Sequence, residues 1–121
     1  MTIELLNEKF TICKVADFSV TDFSQKYCFV GVTDEENSLI CMTDMVPINT
    51  LVRNDGWRAF RISGELDFSL IGILSKILGL LADKKIGIAA VSTYNTDYVF
   101  VKEYDCERAM ATLSAAGYEI K

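Results

Sequence analysis

The stretch AVSTYNTDYVFV, residues 90–101, sets Ser92, Thr93, Asn95, Thr96 and Asp97 between two apolar runs. A hairpin turn needs one or two such residues for its own backbone. Hydroxyls, an amide and a carboxylate together exceed that need. A second group, DFSLIG at residues 67–72, places Asp67 and Ser69 just before an apolar helical stripe and Gly72 within it. Proton-transfer chemistry needs two titratable groups on one cleft. Asp67, Tyr94, Asp97 and Lys102 are the available ones, and none stands in a recognised catalytic spacing. The chain has no histidine, which excludes Ser-His-Asp and Cys-His nucleophilic sites, HExxH zinc sites and imidazole bases. Cys13, Cys28, Cys41 and Cys106 are widely spaced, with no CxxC, and read as reduced core thiols. No metal and no cofactor is expected. The acidic run Asp34, Glu35 and Glu36 reads as a solvated turn, with a cation site as the alternative.

The elements that must position these groups follow from length and pattern. A chain of 121 residues makes one domain, or two small halves sharing a core. Half of the residues are hydrophobic and only one is proline, so an ordered chain is expected. A net charge of -5 with scattered Lys and Arg argues against a nucleic-acid partner. The opening MTIELLNEKF lacks the basic and apolar regions of a secretion signal, and no apolar run is long enough for a membrane span. A cytoplasmic protein without membrane contact is the expectation.

In the second half, WRAFRISG (57–64) alternates as a strand. Leu70, Ile73, Leu74, Ile77, Leu78 and Leu81 then recur at helical spacing. That helix is expected to start near Ser69, capped by Asp67 or Ser69, and to end near Lys84 and Lys85. IGIAAVSTY and YVFV read as a hairpin turning at NTD. Asp105 is the expected cap of a second helix, Gly117 its left-handed terminus, and YEIK a closing strand. The order β-α-β-β-α-β is the split βαβ, or ferredoxin-like, plan. The first half repeats it in reduced form. KFTICKV is a strand, ADFSVTDFSQ a turn in place of a helix, YCFVGVT and SLICMT a hairpin around DEEN, and Pro47 opens a short helix. The hairpins GVTDEENSLICM and AVSTYNTDYVFV are thus internal equivalents. An α+β fold follows, in two halves of about residues 1–62 and 57–121 that share the Trp57 strand. The halves lie side by side, with helices on one face of an antiparallel sheet.

Residues 57–113 carry a resemblance. DFSLIGIL after a strand, followed by LADKKIGIAAVSTYNTDYVFVKEYDCERAMATL, closely resembles the ACT domain family. Within it the likeness is to small stand-alone bacterial proteins with two ACT units, to the cytosolic arginine sensor (CASTOR-type) and to aspartate kinase regulatory domains. TDEENSLIC (33–41) resembles the corresponding hairpin of those bacterial proteins, with Asn37 where an apolar residue is expected, and Gly56 and Trp57 fall at the expected junction. The first twenty residues carry no likeness.

The resemblance implies a regulatory module that binds amino acids and performs no chemistry. Ligands of such proteins lie where two ACT units meet. One unit offers the loop after its first strand, here Phe68, Ser69, Leu70, Ile71 and Gly72. The other offers its second strand, here Ser92, Thr93, Tyr94 and Asp97. The chemistry of these residues agrees with that assignment. A helix N-terminus suits a carboxylate, Gly72 permits close approach to the backbone, and Asp97 is a charged acceptor for an ammonium group. Without the resemblance, Asp97 is a turn residue and Ser92 and Thr93 are edge-strand residues. Such a protein would act on a partner protein in trans, as a homodimer. The competing reading is a dimerisation module whose pocket is vestigial.

Overall fold

The computed structural model describes residues 1–63 and 71–121. Among these, eight strands and two α-helices follow in chain order, with a single 3-10 turn at Thr43–Met45 between the fourth and fifth strands: β1 (Thr2–Leu5), β2 (Phe10–Val15), β3 (Cys28–Val32), β4 (Asn37–Met42), β5 (Thr50–Ile62), α1 (Ile73–Asp83), β6 (Ile88–Ser92), β7 (Asp97–Lys102), α2 (Glu103–Ala115) and β8 (Glu119–Ile120). The fold is α+β and ferredoxin-like. Two compact units form, one from Met1–Asn7 with Arg58–Lys121 and the other from Glu8–Trp57.

In the first of these units the strands run in the order β6-β7-β5-β1-β8. Alternation sends Ile3, Phe60, Ile62, Val99 and Val101 to one face. There they meet Ile77 and Leu81 of α1 and Ala109 and Leu113 of α2 in one core. Both helices therefore lie on one face of this sheet. The pattern of YEIK predicts a last short strand and leaves its partner open. β1 lies antiparallel to β5 with Ile3 opposite Ile62, and β8 lies outside β1, parallel to it. Residues 1–7 thus pair with the C-terminal segment, although the division at 1–62 groups them with the first half.

The ends of the helices differ from expectation in two places. Helix α1 begins at Ile73, with Gly72 as its N-cap at φ 79°, a left-handed conformation that a side chain would strain. Gly72 is therefore the cap and not a first-turn residue. The expected caps Asp67 and Ser69 lie outside the described residues. Helix α1 ends at Asp83, just before Lys84 and Lys85 and so near them as expected, and the amide of Ile86 closes it on the Leu81 carbonyl at 3.0 Å. Helix α2 begins at Glu103. Asp105 stands inside its first turn, where it accepts a hydrogen bond from Arg108 at 2.8 Å. Gly117 takes φ 102° and ends the helix as read.

The second unit is an antiparallel sheet in the order β3-β4-β2-β5. Residues 16–27 cross from β2 to β3 through turns, in which Asp17 and Asp22 each accept from the amide and hydroxyl of the serine two residues on. No helix follows Pro47. The turn there closes with the Thr50 hydroxyl on the Pro47 carbonyl at 2.7 Å, and β5 starts at once, seven residues before the expected strand at Trp57. β-Branched Thr50 and Val52 favour the extended chain. Gly56, at φ 85°, forms a bulge, since Phe10 faces Trp57 while Ile12 faces Asn54. The bulge aims Asp55 at the buried Thr11, which donates to its carboxylate at 2.6 Å.

Cys13, Val15, Leu39 and Cys41 form the core of this unit, with Cys28 packed against it. All four cysteines of the chain are free. Burial is the first cause that pushes the Cys41 thiol up to about 12, with Cys13 and Cys28 nearby adding to it. A thiol raised in the folded state contributes stability that is complete below its unfolded value of 9.0 and is lost as pH rises from there towards about 12. Urea unfolding across that window should show stability falling with pH, and Cys41→Val should make the fall shallower. Equal slopes for the two proteins would rule out this role for Cys41.

Candidate functional site

The hairpin of β6 and β7 is built by its own polar residues. The Thr93 amide donates to the Thr96 carbonyl at 2.8 Å, and the Thr93 hydroxyl donates to the same carbonyl at 2.9 Å. This bond makes residues 93 and 96 a hydrogen-bonded pair, so Ser92 and Asp97 form the next, non-bonded pair, whose side chains approach closely. Accordingly the Ser92 hydroxyl donates to the Asp97 carboxylate at 2.6 Å. Thr96 turns inward, 7% exposed, and its hydroxyl donates to the Ile62 carbonyl at 2.8 Å. It thereby ties the hairpin tip to the end of β5. Tyr94 is 74% exposed at the tip.

The other hairpin repeats this chemistry. The Thr33 amide donates to the Glu36 carbonyl at 3.0 Å, and the Thr33 hydroxyl accepts from the Glu35 and Glu36 amides at 3.2 Å. Thr33 therefore corresponds to Thr93, and Asn37 to Asp97. Asn37 gives its amide to the Ala16 carbonyl at 3.1 Å and carries no charge.

Of the residues expected from the loop, Phe68, Ser69 and Leu70 lie outside the described residues. Ile71 and Gly72 border a cleft of about 350 Å³ with Lys76, Met1 and Gly117. Lys76 did not figure among the expected site residues. Its position four residues after Gly72, on the exposed side of the stripe, was the available signal. Ser92, Thr93, Tyr94 and Asp97 do not line this cleft. Within the described residues, then, the two groups of expected site residues occupy separate places.

Of the candidate titratable groups, Asp67 lies outside the described residues. Asp97 opens β7 and Lys102 ends it, so about five steps of 3.3 Å, roughly 17 Å, separate them. Arg61 is held in its charged form first by Glu4, through a paired contact at 3.1 and 3.3 Å, and then by the Tyr98 hydroxyl at 3.0 Å. This trio lies on the sheet face away from the helices and reads as a structural clamp. Among the described residues no group of three or more His, Cys, Asp or Glu is arranged to hold a metal ion. No described helix is long and apolar enough to cross a membrane.

Comparison with known proteins identifies the arrangement. The chain is similar to a protein from Agobacterium tumefaciens of known crystal structure, with 27% identity and a TM-score of 0.87 over 99% of this chain and 91% of the other. A protein of unknown function from Vibrio cholerae matches with 14% identity and a TM-score of 0.73, over 94% of this chain and 88% of its own. The ligand-free regulatory subunit of aspartate kinase from Thermus thermophilus matches with 12% identity and a TM-score of 0.66, over 97% of both chains. The last two likenesses concern the fold alone. No curated protein sequence matches. Residues 52–115 match the ACT domain family, more than half of the chain, and the protein belongs to that family.

Proposed function

We propose that this protein is a regulatory ACT protein that binds an amino acid or a related small molecule and, without catalysis of its own, acts on a partner protein in trans. The observation that carries the reading is the Thr96–Ile62 hydrogen bond. It holds the hairpin tip, with Ser92, Thr93, Tyr94 and Asp97, at the end of β5. Asp97 offers a carboxylate that a single hydroxyl contact leaves with capacity to accept an ammonium group. Family membership supports the regulatory part of the proposal. We further propose a homodimer located in the cytoplasm.

The second reading, a dimerisation module with a vestigial pocket, draws on the Ser92–Asp97 bond, which already occupies one carboxylate oxygen, and on the separation of that pair from the Gly72 cleft. Thermal melting with each of the twenty amino acids separates the two. A ligand at one hundred times its Kd stabilises by about 2.7 kcal/mol, a visible shift. Twenty flat traces favour the second reading.

A further inference from the structure

We infer that Cys28 and Cys41 are a redox-active pair, which a low-molecular-weight disulfide converts into a disulfide bridge between β3 and β4. The two residues stand opposite one another in the antiparallel ladder of these strands. Two backbone bonds fix the alternation along it. The Thr33 amide donates to the Glu36 carbonyl at the hairpin tip, so Gly31 with Ser38 and Phe29 with Ile40 are hydrogen-bonded pairs and Cys28 with Cys41 is not. On the other side of β4, the Thr43 amide donates to the Lys9 carbonyl at 2.9 Å. Two residues back, Cys41 therefore turns its backbone groups towards Thr11 of β2 and away from Cys28. Both routes agree. Non-bonded pairs hold their Cα atoms about 4.5 Å apart, with side chains at their closest. That separation falls within the roughly 4.4–6.8 Å that a disulfide spans.

Geometry and access single out this pair among the four cysteines. Cys13 lies in the same core, and its thiol is in contact with that of Cys41. It faces Leu39, however, and stands diagonal to Cys41. Diagonal neighbours lie about 7–8 Å apart, at or beyond the roughly 7 Å limit for bridging without backbone movement. Cys106 belongs to the core of the other unit. Cys13, Cys41 and Cys106 are buried, whereas Cys28 is half-buried. Cys28 is thus the thiol that meets a reagent, and Cys41 the one that resolves the adduct.

The chemistry is thiol–disulfide exchange. The Cys28 thiol loses its proton, and its sulfur attacks one sulfur of the reagent. The reagent's S–S bond breaks and one thiolate leaves. The Cys41 sulfur then loses its proton and attacks Cys28 Sγ, which expels the second thiolate. The two protons lost by the protein end on the two departing thiolates. Two protein thiols are oxidised and one reagent disulfide is reduced to two thiols. Burial first, and then the Asp22 carboxylate, hold the Cys28 thiol above its ordinary pKa, so little thiolate is present at neutral pH. The exchange should therefore take minutes to hours. The product staples the end strand β3 to β4 and encloses the DEEN turn. Such a bridge suits a reversible modification, the usual role of disulfides in reducing compartments.

Incubation with oxidised glutathione, acid quenching, alkylation of the remaining thiols and mass spectrometry test the assignment, with folding verified by circular dichroism. Digestion at Lys, Arg and Glu places Cys13, Cys28 and Cys41 on separate peptides. The native chain is expected to lose two hydrogens and to show the Cys28 and Cys41 peptides linked, with Cys13 and Cys106 alkylated. Excess dithiothreitol should restore the thiols. Cys41→Ser should stop at a glutathione adduct on Cys28, and Cys41→Ala serves if that variant does not fold. Cys13→Ala should close the bridge as the native chain does. A native chain left unmodified after overnight incubation overturns the assignment. So does one that keeps glutathione on Cys28, links Cys13 to Cys41, or reacts equally at Cys13 and Cys106, the mark of reaction through the unfolded chain. All of these outcomes leave the ligand reading untouched.

Discussion

Replacing Ile3 by alanine is expected to destabilise the protein by about 2–5 kcal/mol, the range for truncating a fully buried aliphatic side chain. Ile3 is 0% exposed and belongs to the core shared by both helices. It faces Ile62 of β5 on one side and Ile120 of β8 on the other. β8 is two residues long and pairs with β1, so the truncation leaves a cavity where the strand holding β8 meets the core. The backbone ties at this place are the Ser63 amide on the Thr2 carbonyl and the Lys121 amide on the Ile3 carbonyl, at 2.9 and 2.8 Å. They remain in the variant, so the loss should be of packing and not of topology. Urea unfolding of Ile3→Ala beside the native chain reads the difference. A loss under about 1 kcal/mol would mean that the site collapses around the smaller side chain or that β1 is not integral to the fold.

Ile3 also marks where the sequence stopped being informative. TIEL is too short for its alternation to stand out, and a strand of four residues acquires its burial from β5 and β8, which are distant in sequence. The stripe of α1 and the YVFV strand were legible because each carries its periodicity within itself. The start of α1 was misread because Asp67 and Ser69 have the chemistry of caps, while the observed cap, Gly72, acts through its left-handed backbone. The extent of β5 was misread for a related reason. Asn54, Asp55 and Gly56 look like a turn, yet the glycine places a bulge within a continuous strand. At the candidate site the polar residues of the hairpin were legible as a group, but their division of labour was not. Thr96 faces inward as an anchor and Asp97 stays at the surface, and that distinction follows from the hydrogen-bonding register at the tip.

The same distinction yields the second large expectation. Asp97→Ala should weaken binding of the amino acid found by thermal melting about 10- to 150-fold, the loss of one charge-assisted hydrogen bond worth roughly 1.5–3 kcal/mol. Its effect on stability should be small, because the carboxylate is partly exposed and contacts the exposed Ser92 hydroxyl. Thr96→Val should divide its effects differently. It removes the hydroxyl from a buried hydrogen bond to the Ile62 carbonyl and leaves that oxygen without this donor, a loss of about 1–3 kcal/mol in stability. Any loss of affinity in Thr96→Val then reflects a loosened tip. Calorimetric titration of both variants, with urea unfolding of each, separates a group that touches ligand from one that holds the hairpin in place. If the isotherm of Asp97→Ala matches the native one, the acceptor for the ammonium group is not Asp97. The hairpin would then lose its claim to the site, and the Gly72 cleft with Lys76 becomes the place to mutate next.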